Sequence, residues 1–347
     1  MKALVLDEQR KMEVLDMPEP PRTDENIVVK TRAASICGTD IRTFLKGNPK
    51  VAVPRIMGHE FAGEIVHAGS FAAGQGFAPG DRVTMAPAIG CGQCWPCRTG
   101  HTNMCDELKT IGFQYEGAFA EYVEIPRQAI AMGNVITLPD AVDYDSATLI
   151  EPAACALNGQ SYMRVANGDY VLIYGSGMIG CMHAELAFLK GAAKVLVVEP
   201  AESRGRAAEA HVPGIIWINP AACSVEEEVA RHTEGRGANV VIVATSFPDV
   251  QLEAQKVAAK MARISLFGGL AGNSLGYIDS NLVHYKELQV CGVHATTPGF
   301  MREILGLMQE GRFDTGKYVD KRVSIENVMD GFAAIRDENV VKVVIQF

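Results

Sequence analysis

No stretch of this chain holds the ~18 continuous apolar residues that a membrane helix needs, and it contains no internal repeat and no low-complexity linker. Nor is there an excess of positive charge. Lys and Arg number 32 against 41 Asp and Glu, a formal net charge of −9. Phosphate-backbone binding needs clustered cations, so this balance argues against nucleic acid, while a small anionic cofactor at a local site remains compatible with it. Met1-Lys2-Ala3-Leu4-Val5 runs straight into strand-like sequence and an acidic segment, so no signal peptide is expected. Nine cysteines without a secretion signal predict a reducing, cytoplasmic setting in which thiols serve as metal ligands or core residues rather than disulfides.

What is present is a globular composition, 48% hydrophobic and 21% charged over 347 residues, too long for one ordinary core and suggestive of two domains. Residues 1–153 are rich in Gly and Pro, with short strand-like runs at 26–30 and 63–66 separated by turn signals such as Ala78-Pro79-Gly80-Asp81. From 154 to 287 the character changes. Strand-like runs at 170–174, 194–198, 215–218, 239–243 and 263–267 alternate with helical stretches at 179–190, 203–210, 225–232 and 250–261. That alternation predicts an α/β domain with a parallel sheet covered by helices on both faces. The remainder, 288–347, reads strand, helix, strand, and is expected to complete the sheet and return to the first domain.

Cys91, Cys94 and Cys97 are followed by Cys105 in a Gly- and Pro-bearing loop. Four thiolates at this spacing close a tetrahedron around one Zn²⁺, leaving no open position, so such a site braces a loop. Four buried thiols or an iron–sulfur cluster are the alternatives. A second group of donors is dispersed: Cys37, His59, Glu60 and Glu151. Three protein ligands plus water is the pattern of a catalytic zinc.

Gly175-Ser176-Gly177-Met178-Ile179-Gly180 follows an apolar strand and opens a helix. In that setting Gly175, Gly177, Ile179 and Gly180 read as a dinucleotide loop, with the pyrophosphate at the helix N-terminus. Glu199 ends the next strand, where an acid accepts the ribose hydroxyls of NAD and repels the 2′-phosphate of NADP. Arg204 follows one helical turn further on, set to lie along the adenine or a phosphate. Phe267-Gly268-Gly269 is placed to approach the nicotinamide with its backbone, or is an ordinary strand exit. Cys155, Cys181, Cys223 and Cys291 read as small apolar residues. His67, His101, His183, His211, His232 and His284 read as surface or helix-cap residues.

Cys-Gly-Thr-Asp at 37–40, Gly-His-Glu at 58–60, Gly-Asp-Arg-Val at 80–83, the cysteine loop, Gly-Ala-Phe-Ala-Glu-Tyr at 117–122 and the glycine loop occur together and in this order. The set resembles the zinc-dependent medium-chain dehydrogenase/reductase family over nearly the whole chain. The resemblance implies a GroES-like β-rich catalytic domain and a Rossmann domain, two zinc ions per chain and NAD. Glu151 followed by Pro152 is similar to the sorbitol, threonine and sugar-alcohol branch, and implies Cys37, His59 and either Glu60 or Glu151 at the catalytic metal, the two carboxylates exchanging. It further implies that Asp40 orients His59, that Thr39 passes the substrate's proton toward the cofactor ribose, and that cofactor and substrate contacts lie near His294. The implied reaction is reversible oxidation of a secondary alcohol of a polyol or sugar derivative to a ketone, with a threonine-type amino alcohol or a phosphorylated polyol as alternatives, in a homotetramer or homodimer. Three departures stand out. The Arg-Tyr pair of sorbitol dehydrogenases is missing from Cys291-Gly292-Val293-His294-Ala295-Thr296, Ser246 replaces the usual Gly, and Glu199 stands where Asp is usual, which should preserve the NAD preference.

Overall fold

The structure, a computed structural model, describes all residues except 271–273 and 338–339. The chain divides into two compact units, one of Met1–Ala154 with Ala295–Phe347, the other of Cys155–His294. No helix among the described residues is long and apolar enough to cross a membrane.

In the first unit the strand Ile27–Ser35 is the organising element. It pairs antiparallel with Glu60–Ala68, with Val343–Gln346 and with Tyr122–Ile125. Arg82–Met85 and Val135–Thr137 extend this sheet beyond Glu60–Ala68, and Lys321–Ser324 lies outside Val343–Gln346. Lys2–Leu6 forms a smaller sheet with Met12–Asp16 and Arg55–Ile56. The apolar side chains of these strands, among them Ile27, Val29, Phe61, Ile65, Val83, Val343 and Ile345, bury together with Phe119 and Phe332 in one core. Burying such side chains is the main term holding the strands in register.

The second unit is a six-stranded parallel sheet. From one edge to the other it runs Ile216–Ile218, Lys194–Val198, Tyr170–Tyr174, Ala238–Val243, Ala258–Leu266 and Gln289–Gly292. Numbered along the chain within this unit, that is the order 3-2-1-4-5-6 of a doubly wound dinucleotide fold. The inner strands Lys194–Val198, Tyr170–Tyr174 and Ala238–Val243 are largely apolar, buried runs, the pattern of a parallel sheet covered on both faces. The order reverses between Tyr170–Tyr174 and Ala238–Val243, and the glycine loop follows Tyr174 at that switch point.

Three sequence expectations are corrected. The helix expected over 250–261 is Pro248–Val257, and the strand begins at Ala258. The Lys286 ammonium donates to the carbonyls of Gln255, Lys256 and Ala258 at 3.1, 2.7 and 2.9 Å. A cation there satisfies the carbonyls that a helix leaves open at its C-terminus. His183, expected near the surface, is fully buried, edge-on to the Phe267 ring at 4.7 Å, and neither ring nitrogen has a hydrogen-bond partner. It rides on the helix Met178–Leu189, whose side chains are apolar nearly all round, and burial pushes its pKa down to about 3. Cys223 is exposed rather than packed.

Candidate functional site

Ser35 ends its strand opposite Glu60, and Cys37, two residues on, precedes the helix Gly38–Lys46. The backbone N–H of Cys37 donates to the Asp40 carboxylate at 2.9 Å, and that of Asp40 to the Cys37 carbonyl at 3.0 Å. This reciprocal bonding fixes the turn that carries the thiol. Across the sheet, Gly58 has φ +94°, and a Cβ there would lie 2.3 Å from the Phe119 ring, so the turn before His59 requires glycine.

The outcome is a donor cluster. Cys37 Sγ, a ring nitrogen of His59 and a carboxylate oxygen of Glu60 all lie within 4.8 Å of one another. His59 and Glu60 are buried, and Cys37 is half-buried. His59 Nδ1 stands 3.3 Å from Asp40 Oδ1, the placement in which a carboxylate would orient a ligand imidazole. Burial opposes charging of His59, but Asp40 and Cys37 outweigh it and raise its pKa well above the ordinary range. Burial, then Glu60, push the Cys37 thiol up. A thiol beside an imidazolium is the proton-loaded form of this pair, and a divalent cation binds such ligands by displacing their protons. Thiolate, imidazole and carboxylate at this spacing fit zinc with a position left over.

Of the two glutamates, only Glu60 joins this cluster. Glu151, in the first turn of Ile150–Met163, is buried but is not in the three-residue group. Thr39 is half-buried beside Cys37, and its hydroxyl accepts from Arg42 at 3.5 Å. Sequence reasoning missed Lys342. It is 1% exposed, and its ammonium donates to Glu60 Oε2, which also accepts from the Ser35 hydroxyl at 2.5 Å. Burial opposes the ammonium's charge, but Glu60, together with Cys37 and Asp40, outweighs it and raises the pKa. The one sequence signal was a lone charge inside the apolar run Val340-Val341-Lys342-Val343-Val344.

Cys91, Cys94, Cys97 and Cys105 form the second cluster, their sulfurs within 4.8 Å of one another. Backbone N–H groups point at the sulfurs. Cys91 Sγ accepts from Gln93 and Cys94 at 3.4 and 3.3 Å, and Cys105 Sγ from Cys91 and Glu107 at 3.1 and 3.3 Å. Those donors lower the Cys91 thiol to about 7, whereas burial pushes Cys105 up to about 12. Four clustered sulfurs with backbone donors fit a closed zinc site.

In the second unit the loop after Tyr174 has Gly175 at φ +100°, and the helix Met178–Leu189 starts directly after Gly177. A Cβ on Gly180 would lie 1.9 Å from the Gly175 carbonyl oxygen, so that contact between helix and loop admits only glycine. Ile179 lies in the first turn. Glu199 Oε2 accepts from the Ser176 backbone and hydroxyl at 3.2 and 2.9 Å, and Oε1 from the Ala201 backbone at 3.1 Å. Arg204 Nε lies 3.7 Å from Glu199 Oε2, with its guanidinium over Gly177. The loop, acid and arginine thus form one cradle that fits a dinucleotide. Phe267 and Gly268 are half-buried at the strand exit, where a Cβ on Gly268 would strike Thr245, while Gly269 is exposed with open space around it.

Residues 23–139 match the alcohol dehydrogenase GroES-like domain, and residues 179–310 match the zinc-binding dehydrogenase domain. Over 99% of both chains the protein is 30% identical to the sorbitol dehydrogenase of Halalkalibacterium halodurans. It is 33% identical to the L-threonine 3-dehydrogenase of Pyrococcus furiosus over 80% of this chain and 78% of that one. Among solved structures it is similar to a candidate zinc-binding dehydrogenase from Sinorhizobium meliloti 1021 bound to NADP. The TM-score is 0.91 at 29% identity, covering 100% of this chain and 99% of that one.

The two clusters differ in closure, and this sets an expectation for metal removal. Purified protein should carry two zinc ions per chain by atomic absorption. Mild chelation should strip the Cys37–His59–Glu60 site first, together with activity, while the four-sulfur site retains its ion. Full activity with one zinc per chain would contradict this.

Proposed function

Because the chain belongs to the zinc-dependent medium-chain dehydrogenase family, an oxidoreductase family using zinc and a nicotinamide cofactor, we propose that it oxidises a secondary alcohol of a polyol or sugar derivative to a ketone, reversibly. The observation that carries this reading is the three-donor cluster of Cys37, His59 and Glu60, buried among polar groups and one ligand short of a closed tetrahedron. Bound zinc supplies Lewis acidity and the nicotinamide accepts hydride. The chain's own residues hold and orient. Asp40 fixes the His59 ring, and the Thr39 hydroxyl beside Cys37 takes the substrate's proton onward. Glu151 adds a buried carboxylate to the same unit.

A polar site discriminates by what it leaves unpaired. An ethyl group gives the buried carboxylates and hydroxyls no partner, at about 1–3 kcal/mol for each group left unsatisfied. A polyol engages through one hydroxyl and satisfies its surroundings with the neighbours. The sorbitol dehydrogenase relative supports this class, and the missing Arg-Tyr pair at 291–296 argues against sorbitol itself. The threonine dehydrogenase relative makes an amino alcohol the second reading. With zinc replete and NAD supplied, a panel of polyols, aldoses, phosphorylated polyols and threonine should contain a substrate at least about tenfold better than ethanol in kcat/KM, equivalent to about 1.4 kcal/mol. Simple primary alcohols outperforming the whole panel would sink the substrate reading.

NAD is the preferred cofactor in this reading. Glu199 is held by three hydrogen bonds at the end of its strand, where a 2′-phosphate would meet its negative charge. The NADP-bound relative shows that the fold alone does not decide the matter. Catalytic efficiency should favour NAD, and Glu199→Ser, which leaves Arg204 without its carboxylate partner, should shrink the preference by about tenfold. Equal efficiency of the unaltered protein with both cofactors rejects the assignment.

The strand Gln289–Gly292 is the outer strand of its sheet and is partly exposed along its length. An open edge of this kind invites pairing with another copy, and a homodimer or homotetramer assembled through it is proposed. Light scattering at micromolar concentration should give a mass at least twice that of the 37.4 kDa chain; a monomer throughout removes the support.

A further inference from the structure

Glu199 is held by the protein itself, from two directions. Its main chain is fixed by the neighbouring strand. The Glu199 N–H donates to the Ile218 carbonyl at 3.1 Å, and the Trp217 indole N–H donates to the Glu199 carbonyl at 2.9 Å. Trp217 in turn lies against Gly205, where a Cβ would fall 2.1 Å from the indole. The side chain is fixed by the glycine loop. Oε2 accepts from the Ser176 N–H at 3.2 Å and from the Ser176 hydroxyl at 2.9 Å. The Ser176 carbonyl accepts from the Cys181 thiol at 3.4 Å, which ties the same residue to the helix Met178–Leu189. Ser176 is 3% exposed and Glu199 6%.

A glutamate has one side-chain torsion more than an aspartate and loses more rotamer freedom when a ligand fixes it. Hydrogen bonds that fix it within the protein remove that loss from the binding step. The two bonds from Ser176 depend on its identity unequally. Any residue but proline at 176 supplies the N–H, whereas the second bond needs a side-chain donor. Another partner for the acid is close by. Arg204 Nε lies 3.7 Å from the same Oε2, on a side chain that is 45% exposed. The Ser176 hydroxyl therefore keeps Oε2 on the loop and out of a closer pairing with Arg204. A carboxylate that closes on an arginine repels a phosphate less, because the neighbouring cation cancels much of its field.

We infer that Ser176 is a positioning residue for cofactor choice: its hydroxyl holds the Glu199 carboxylate on the glycine loop, and discrimination of NAD against NADP depends on that hold. This rests on the reading of Glu199 as the acid that meets the ribose. Without the hydroxyl, Oε2 turns to Arg204. NAD then meets a less ordered acceptor and the 2′-phosphate of NADP a weaker repulsion, so the two affinities converge. A Ser176 that only shaped the turn would act on both cofactors alike, because they share the pyrophosphate. A Ser176 that touched the cofactor itself would act whether or not residue 199 is an acid.

The experiment is equilibrium titration of the zinc-replete protein with NADH and with NADPH by calorimetry, which needs no substrate. Ser176→Ala should lower the ratio of the NADPH to the NADH dissociation constant by at least about threefold, chiefly through weaker NADH binding. Ser176→Gly also keeps the N–H and drops the hydroxyl; it should do the same, and it decides should Ser176→Ala fail to fold. In a Glu199→Ser background, Ser176→Ala should change the ratio by less than about twofold, since the group it acts through is gone. An unchanged ratio in the deciding variant overturns the inference, and so does an equal drop with Glu199 already replaced. Equal affinity of the unaltered protein for NADH and NADPH rejects the reading of Glu199 itself, and the inference with it.

Discussion

The register of the strand Ile27–Ser35 against Glu60–Ala68 and Val343–Gln346 is the constraint on which the candidate metal site depends. Along Glu60–Ala68 the pairing is irregular twice, between Val28 and Val29 and again between Thr31 and Ala33. The first irregularity moves the partner by one residue and the second moves it back, so Ser35 meets Glu60 in the same register in which Ile27 meets Ala68. A single uncompensated slip would turn every later side chain to the opposite face. Glu60 would then leave Ser35 and Lys342, and Phe61 would exchange the apolar core for the polar cluster. The core and the site are specified by the same hydrogen bonds. Mutations deep in this sheet should therefore affect stability and metal binding together, whereas changes in the glycine loop of the other unit should separate them.

Charge burial on this scale is poor economy for a fold. Glu60, Asp40 and Lys342 are each 1% exposed, and an isolated ion in such a place costs several kcal/mol even after relaxation. Pairing recovers part of that cost, yet well-packed apolar residues of the same volume often do as well or better. The polar cluster is thus explained by its chemistry, not by the stability it contributes. His183 makes the contrast clear. It is as deeply buried, with no charged partner of opposite sign, and it responds by staying neutral. Lys342, by contrast, faces the Glu60 carboxylate, and its pKa is raised in spite of burial. The four-cysteine loop follows a third course. The Cys91 and Cys105 sulfurs accept backbone N–H groups that all come from the same loop, so the loop carries the means of binding its ion within itself.

That difference in sequence range explains what was legible beforehand. The cysteine loop, the glycine loop and the acid at 199 were readable because each is a local arrangement whose partners are close along the chain. The parallel sheet was readable because apolar runs and helical stretches alternate at a regular spacing. Lys342 was not readable, since its meaning comes from Glu60, 282 positions earlier. The end of the helix at Val257 was hidden for the same reason. The residues through Met261 suit a helix by composition, and only the Lys286 ammonium, reaching back to three carbonyls, shows where it stops. Cys37, His59 and Glu60 were identified as donors, but the choice between Glu60 and Glu151 was beyond sequence, because both are acids beside apolar segments.

The geometry around Gly58 explains how Glu60 comes to be in that cluster. His59 and Glu60 are consecutive, and consecutive residues of an extended strand point to opposite faces. Both contribute donor atoms to one cluster, so the chain has to depart from strand geometry at this point. The departure is visible: the strand begins only at Glu60, and Gly58, with φ +94°, turns the backbone just before His59. The same glycine lies against the Phe119 ring with no room for a Cβ. The aromatic core therefore presses on the turn that aims the imidazole, while the sheet register aims the carboxylate. Two independent constraints, one steric and one from hydrogen bonding, converge on adjacent residues, and their intersection is the donor cluster. Glu151 comes from the start of a helix and answers to neither constraint, and it lies outside the three-residue group.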